Sequence, residues 1–531
     1  MSIRLVSQSL VAVAAVFAAT IVPSSAAGAP PRDPGSAADR DRSLVRVESG
    51  WLRGEAAEDH LTFSAIPYAA PPVGKHRWEP PARVRPWRGV RDATRPSPLC
   101  PQRGDEDDVQ GQEDCLYLDV TVPRGTRPGE RLPVLVWLHG GGLISGGAQR
   151  FDGARLASQG DMVVVTINYR LGALGFLSTP ELDDTGGNYG LMDQAAALRW
   201  VHRNAHRFGG NPRNVTLAGQ SGGARSICAH LASPRSRGLF DRAIVQSGAC
   251  DNQVPTRAEA RRFGARAVDA LGCTDATDVA ACLRQRPPAR LVETLEGVGA
   301  QLDARVNDRP WNPVAGTRML PHQPGEALRD GSAARVPLLV GGTRDEMRGF
   351  VFGQAGDATE EEYRALIVSL FSDRADDVLA EYPTASYGSP ALALSAVHSD
   401  WGGQIGACPV LRTAEAASAH QPVYVYEFAE DSGQAPGGFP LGAYHGLDVP
   451  YTWTLIGYSP YPPLNAEQSQ LSATMIDYWA SFAHTGDPNG PGRPHWPEYA
   501  DANTVVELST AGIAPTPFAE NHRCDFWAGY R

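Results

Sequence analysis

Six near-continuous apolar runs constrain this 531-residue chain more than any other feature: Leu132–Leu138, Met162–Ile167, Val215–Ala218, Ala243–Val245, Val336–Val340 and Val423–Tyr426. A strand with one wet face alternates apolar and polar residues. An unbroken apolar strand is what a parallel sheet produces when both of its faces are covered. Helical stretches separate several of the runs. The clearest is Leu191 to Phe208, with Leu191, Ala195, Leu198, Val201, Ala205 and Phe208 at helical spacing and Gly209-Gly210 as the stop. Alternating β and α elements predict an α/β protein with a large, mostly parallel central sheet and helices on both faces. Ligands of such sheets bind beyond the carboxyl ends of the strands.

The residues just beyond each run are therefore informative. After Leu138 comes His139-Gly140-Gly141-Gly142, and after Ala218 comes Gly219-Gln220-Ser221-Gly222-Gly223. Gln246-Ser247-Gly248 comes after the fourth run, Asp345-Glu346 after the fifth, and Tyr444-His445-Gly446 after the last. G-x-S-x-G between an apolar strand and a helix-compatible run is a nucleophile elbow, whose tight turn needs small neighbours. Alone the pattern is weak, since 56 glycines can produce it by accident. It gains meaning from its company. Serine needs a base, imidazole serves near neutral pH, and a carboxylate fixes the imidazole's tautomer. Ser221, Glu346 and His445 have the chain order Ser, Asp/Glu, His of the α/β-hydrolase arrangement. Asp345 is an adjacent rival to Glu346. His445, in a Gly-rich turn after the last clear strand, is favoured over His398 and His420. The glycines after His139, with the N–H of Gly222, have the makings of an oxyanion hole.

These blocks stand among others: Phe63–Pro72 with Arg77, Glu113-Asp114-Cys115-Leu116-Tyr117-Leu118, Asn168-Tyr169-Arg170, Gly187-Asn188, Asp193-Gln194, Phe208-Gly209-Gly210-Asn211-Pro212 and Cys524-Asp525-Phe526-Trp527. In this order, from about residue 45 to 527, the chain resembles the type-B carboxylesterase family, which includes cholinesterases and bacterial carboxylesterases. The resemblance implies an α/β-hydrolase fold with inserted helical segments over the active site. It implies ester cleavage through an acyl-enzyme, with Ser221, His445 and Glu346 as triad and Gly141, Gly142 and Gly222 as oxyanion donors; no cofactor is expected, and no metal, since no cysteines have ligand spacing such as C-x-x-C. It also implies bridges Cys100–Cys115, Cys273–Cys282 and Cys408–Cys524, buried pairs Arg77–Glu113 and Arg170–Asp193, and Ser247 as a supporting serine near the triad.

Three departures bear on substrate. Gln220 and Gly222 stand where the family usually has Glu and Ala, so a negative charge beside the site is lost, although Asp448 keeps one carboxylate nearby. The loop from Cys100 to Cys115 is acidic (Asp105, Glu106, Asp107, Asp108) and has no aromatic to hold a quaternary ammonium by cation–π attraction, which argues against choline esters. The segment after Gly248 has no aromatic before Phe263, so Leu143, Trp311 and Phe350 are the candidate pocket residues.

The N-terminus reads as an address. Arg4 precedes an apolar stretch from Leu10 to Val22, and cleavage is expected after Ala27, giving a signal peptide over 1–27. Residues 28–43 read as a disordered mature N-terminus, and 44–531 as one hydrolase domain. Export makes the eight cysteines readable as disulfides, with Cys228 and Cys250 either a fourth bridge or two buried thiols. A net charge of −11 without a basic stripe excludes a nucleic-acid partner, and no membrane contact is expected once the signal is removed. The expectation is a secreted esterase acting on small-molecule esters. The alternatives are a lipase or polyesterase on insoluble substrate and a non-catalytic binding module on the same fold.

Overall fold

The computed structural model describes residues 42–104, 108–182, 185–298, 301–305, 308–403, 405–457 and 461–530. The expected signal peptide, most of the expected disordered segment (28–41) and the acidic residues Asp105, Glu106 and Asp107 lie outside the described residues. One sheet of eleven strands organises the chain. In sequence its strands are β1 (Glu55–Ala56), β2 (His60–Pro67), β3 (Tyr117–Pro123), β4 (Leu132–Leu138), β5 (Val163–Ile167), β6 (Gly210–Gln220), β7 (Arg242–Gln246), β8 (Leu338–Thr343), β9 (Val423–Phe428), β10 (Val505–Ser509) and β11 (Gly512–Thr516). In space they run β11-β10-β9-β8-β7-β6-β4-β5-β3-β2-β1. Neighbours from β10 to β5 are parallel; the pairs beyond them at both edges are antiparallel.

The apolar runs are the parallel block, and the burial of its two faces explains them. Val134, Val136 and Leu138 of β4 enter one core with Val163, Val165, Val215, Leu217, Val245 and Val340. Leu135 and Trp137 of the same strand enter a second core with Val164, Ala218, Ile244, Leu339 and Tyr426. With a side-chain period of 2 and apolar partners on both sides, these strands keep few polar residues, Thr166, Thr216 and Glu427 among them, all buried.

Helix α1 (Tyr189–Asn204) tightens into a 3₁₀ turn over Ala205–Phe208 and ends on Gly209, whose φ of 82° stops it. Helix α2 (Gly222–Ala232) starts at the elbow. Helical insertions lie between β7 and β8 and between β8 and β9, the second containing α3 (Pro390–Trp401) and α4 (Ala407–Ser418). Helix α5 (Ala466–Thr485) gives Met475, Ile476, Trp479 and Phe482 to the second core. Disulfides join Cys100 to Cys115, Cys273 to Cys282 and Cys408 to Cys524. The pair left open by the sequence is bridged as well: Cys228 on α2 to Cys250 beyond β7. Arg77 pairs with Glu113 at 2.6 Å and Arg170 with Asp193 at 2.7 Å, the latter wholly buried. Among the described residues no helix is long and apolar enough to cross a membrane.

Candidate active site

The site begins where β6 meets α2. Ser221 sits between them at φ 57°, ψ −118°, a backbone conformation a non-glycine residue adopts only when its surroundings force it. The forcing is visible. The Ser221 N–H bonds to Gln246 O on the neighbouring strand at 2.9 Å. A Cβ on Gly219 would lie 2.6 Å, and one on Gly223 2.0 Å, from Leu138 O of β4. Strand and helix can close on β4 only because both positions lack a side chain.

Beyond β4, Gly141 (φ 104°), Gly142 (φ 62°) and Leu143 (φ 68°) turn left-handed in succession. A Cβ on Gly222 would stand 3.2 Å from Gly142 N and 2.9 Å from Leu143 N, so the glycine segment packs directly against the elbow. His139 anchors this segment. It is buried and stacked on Tyr169 at 4.4 Å, and burial pushes its imidazole down to about 4, keeping it neutral.

His445 Nδ1 lies 2.5 Å from Glu346 Oε2, and Glu346 Oε1 accepts from the Thr343 N–H at 2.9 Å. Burial pushes the Glu346 carboxyl upward, but His445, Ser247 and the Thr343 N–H together hold it below its usual value, hence ionised. Asp345 turns elsewhere: it pairs with Arg348 at 2.8 Å and accepts from the Ala443 N–H. Of the other histidines weighed, His398 is buried on α3 beside Trp401 and held neutral, at about 4, by burial, and His420 contacts Arg329 O. Ser247 is buried with φ 51°, its N–H on Gly341 O.

Two residues behave in ways the sequence did not indicate. Gln220, read only as a lost charge, brings its Nε2 to 3.1 Å from His445 Nε2. Its amide thus donates to the lone pair that a serine hydroxyl would use. Asp448 is wholly buried beneath the site, accepting from Gln246 Nε2 and Tyr426 Oη, each at 2.9 Å. Burial, reinforced by the charge of Glu346, raises its carboxyl above its ordinary value. Of the candidate pocket residues, Phe350 packs its ring 5.4 Å from that of His445, while Leu143 and Trp311 are buried.

Known proteins share this arrangement of chain and fold. The profile of the carboxylesterase family matches residues 41–527. The chain is 35% identical to the pyrethroid hydrolase Ces2e of Rattus norvegicus, over 88% of this chain and 85% of that protein. It is 32% identical to the para-nitrobenzyl esterase of Bacillus subtilis, over 90% and 98% respectively. A solved PNB esterase structure superposes with a TM-score of 0.76 at 31% identity, covering 91% of this chain and 99% of the other.

Proposed function

Because the chain belongs to the carboxylesterase family and hydrolyses carboxylic esters, we propose that it is an exported enzyme working through Ser221, His445 and Glu346. His445 Nε2 takes the Ser221 proton as the hydroxyl attacks the ester carbonyl, displacing the Gln220 amide from that nitrogen. The developing oxyanion is met by the N–H groups of Gly141, Gly142 and Gly222. Glu346, ionised and hydrogen-bonded to Nδ1, stabilises the imidazolium. His445 then protonates the departing alcohol, and the acyl-enzyme is hydrolysed by water that His445 activates in turn. The observation that carries the reading is the 2.5 Å contact of His445 with Glu346 at the mouth of an elbow whose serine is held in a strained turn. Export is supported by four disulfides and by the Arg4-to-Ala27 pattern.

An organophosphonate ester tests the mechanism, since it phosphonylates only an activated serine. Peptide mapping is expected to find the label on Ser221. Label on another residue, or no label on an enzyme that hydrolyses esters, overturns the assignment.

A further inference from the structure

Helix α1 carries Met192, Ala195 and Arg199 along one face, three and then four residues apart. That face lines a cavity of about 310 Å³, which two other parts of the chain complete. Arg235 comes from the loop just after α2, and Arg318 and Met319 come from the insertion between β7 and β8. Hydrogen bonds hold these walls in place. Arg318 and Met319 are the central residues of a tight turn in which the Thr317 N–H donates to Leu320 O at 3.1 Å. Asn188, just ahead of α1, donates to Thr317 Oγ1 at 3.0 Å. Ser233 Oγ donates to Met319 O at 2.5 Å and accepts from the Arg235 N–H at 3.3 Å, so it ties the second wall to the third. Helices α1 and α2 are joined in turn by Gln194, whose Oε1 lies 2.9 Å from His230 Nε2.

The lining has two chemistries. Ala195 and Met319 are buried and Met192 is half-buried, which gives a hydrocarbon and thioether floor. Three guanidinium groups border it. The chain as a whole carries −11, yet Arg199, Arg235 and Arg318 make no ion pair among the described residues. Arg203, one turn further along α1, does have a partner, Glu48 at 2.8 Å. Arg199 is open to water, but burial first, then the charges of Arg203 and Arg235, lower its guanidinium below its ordinary value. A single exposed arginine needs no partner. Three that converge on one preformed concavity with an apolar floor suit a particular guest. Guanidinium forks take an oxyanion through paired N–H donors, and methionine moulds itself to an apolar body. We propose that the cavity binds an amphipathic carboxylate, its charge held by Arg199, Arg235 and Arg318 and its chain laid on Met192, Ala195 and Met319. The site stands apart from the triad. Helix α2 runs 11 residues from its start beside Ser221, so Arg235 lies beyond its far end, about 16 Å along the axis. Hydrolysis of carboxylic esters releases acids of this class, so the enzyme's own reaction can supply the ligand.

Calorimetric titration of the full chain with octanoate, kept below its micelle concentration, tests the site. The wild-type protein is expected to bind one octanoate with a Kd of about 0.05–1 mM, weakening as salt is added. Butyrate keeps the charge and 1-octanol keeps the chain, and each should bind at least about tenfold more weakly. The triple variant Arg199→Gln, Arg235→Gln, Arg318→Gln should lose at least about tenfold in octanoate affinity. All three side chains are exposed, so the variant is expected to fold. No saturable octanoate binding, or an affinity unchanged in the triple variant, overturns the proposal. Equal affinity for octanoate and inorganic phosphate does so as well, because charge alone is then read. Arginine-dependent binding to phosphatidylglycerol vesicles without binding of free octanoate would make the surface a membrane contact and also overturns it. Treatment with the phosphonate should leave octanoate affinity unchanged; displacement of octanoate by the label would put the acid in the active site instead and overturn the proposal. The other titrations stand whichever residue the phosphonate labels.

Discussion

Ser221→Ala is expected to slow hydrolysis of a short acyl ester by about 10⁴- to 10⁶-fold while leaving the protein folded. Residual catalysis is expected because the proposed oxyanion donors Gly141, Gly142 and Gly222 would still bind a developing oxyanion for water to exploit. His445→Ala should fall as far, and the double variant no further, since serine and imidazole act as one unit. Glu346→Gln keeps the shape but no longer stabilises the charged imidazole or the right tautomer, and should cost about 10⁴-fold. Initial rates with matched circular dichroism spectra check all four. A Ser221→Ala enzyme within about tenfold of wild type would remove Ser221 from the chemistry.

The second large effect lies away from the chemistry. His522 is buried near the C-terminus, with Nδ1 2.6 Å from Asp400 Oδ1 on α3 and Nε2 against Glu427 on β9. Tyr382 Oη donates to Asp400 Oδ2, and Arg523 approaches the same oxygen. Burial alone would lower the imidazole, but the two carboxylates outweigh it and raise the group to about 10. A folded-state value above the unfolded one means that the proton stabilises the fold. That contribution is complete below about 6.5, the ordinary histidine value, and fades as pH climbs through about 10. His522→Gln removes the cation that Glu427 and Asp400 share, leaving Asp400 only Tyr382 and Arg523, and should lower unfolding free energy by about 3–5 kcal/mol at neutral pH. Urea titrations at about pH 6.5 and about pH 10 are expected to show the gap between wild type and variant narrowing at the higher pH. An equal gap at both would mean that the cluster does not hold the proton. Glu427 pairs in register with Gly342 of β8, four residues before Glu346, so this cluster also braces the strand that leads to Glu346.

What the sequence disclosed, and what it hid, has a physical pattern. The parallel strands were legible because burial on both faces leaves them few polar residues, and Ser221, Glu346 and His445 were singled out because each comes after such a strand at its carboxyl end. Boundaries were less legible. Strand β6 begins at Gly210 rather than Val215, across a register irregularity that pairs Gly210 with Leu132 before the regular ladder resumes. Helix α1 gives way to a 3₁₀ turn at Asn204 with no change in apolar spacing. Contacts set by side-chain direction were not legible at all. Nothing in Gly-Gln-Ser says that the Gln220 amide reaches His445, or that Asp448 sits where burial raises its carboxyl. Arg225 and Asn312 are far apart in sequence and meet only because an insertion folds back over the elbow helix. Cys228 and Cys250 were ambiguous for the same reason: one is on a helix face and the other in a loop beyond the next strand.

That fourth bridge fastens the helix that follows Ser221 to the chain just beyond Ser247, and its sulfurs belong to residues only 2% and 0% exposed. A thiol can attack it only after the segment opens, so its reduction should be timed by that opening rather than by reductant concentration. Activity would then outlast brief contact with reducing surroundings, and the half-life of the bridge under saturating dithiothreitol would serve as a clock for how often the floor of the active site breathes.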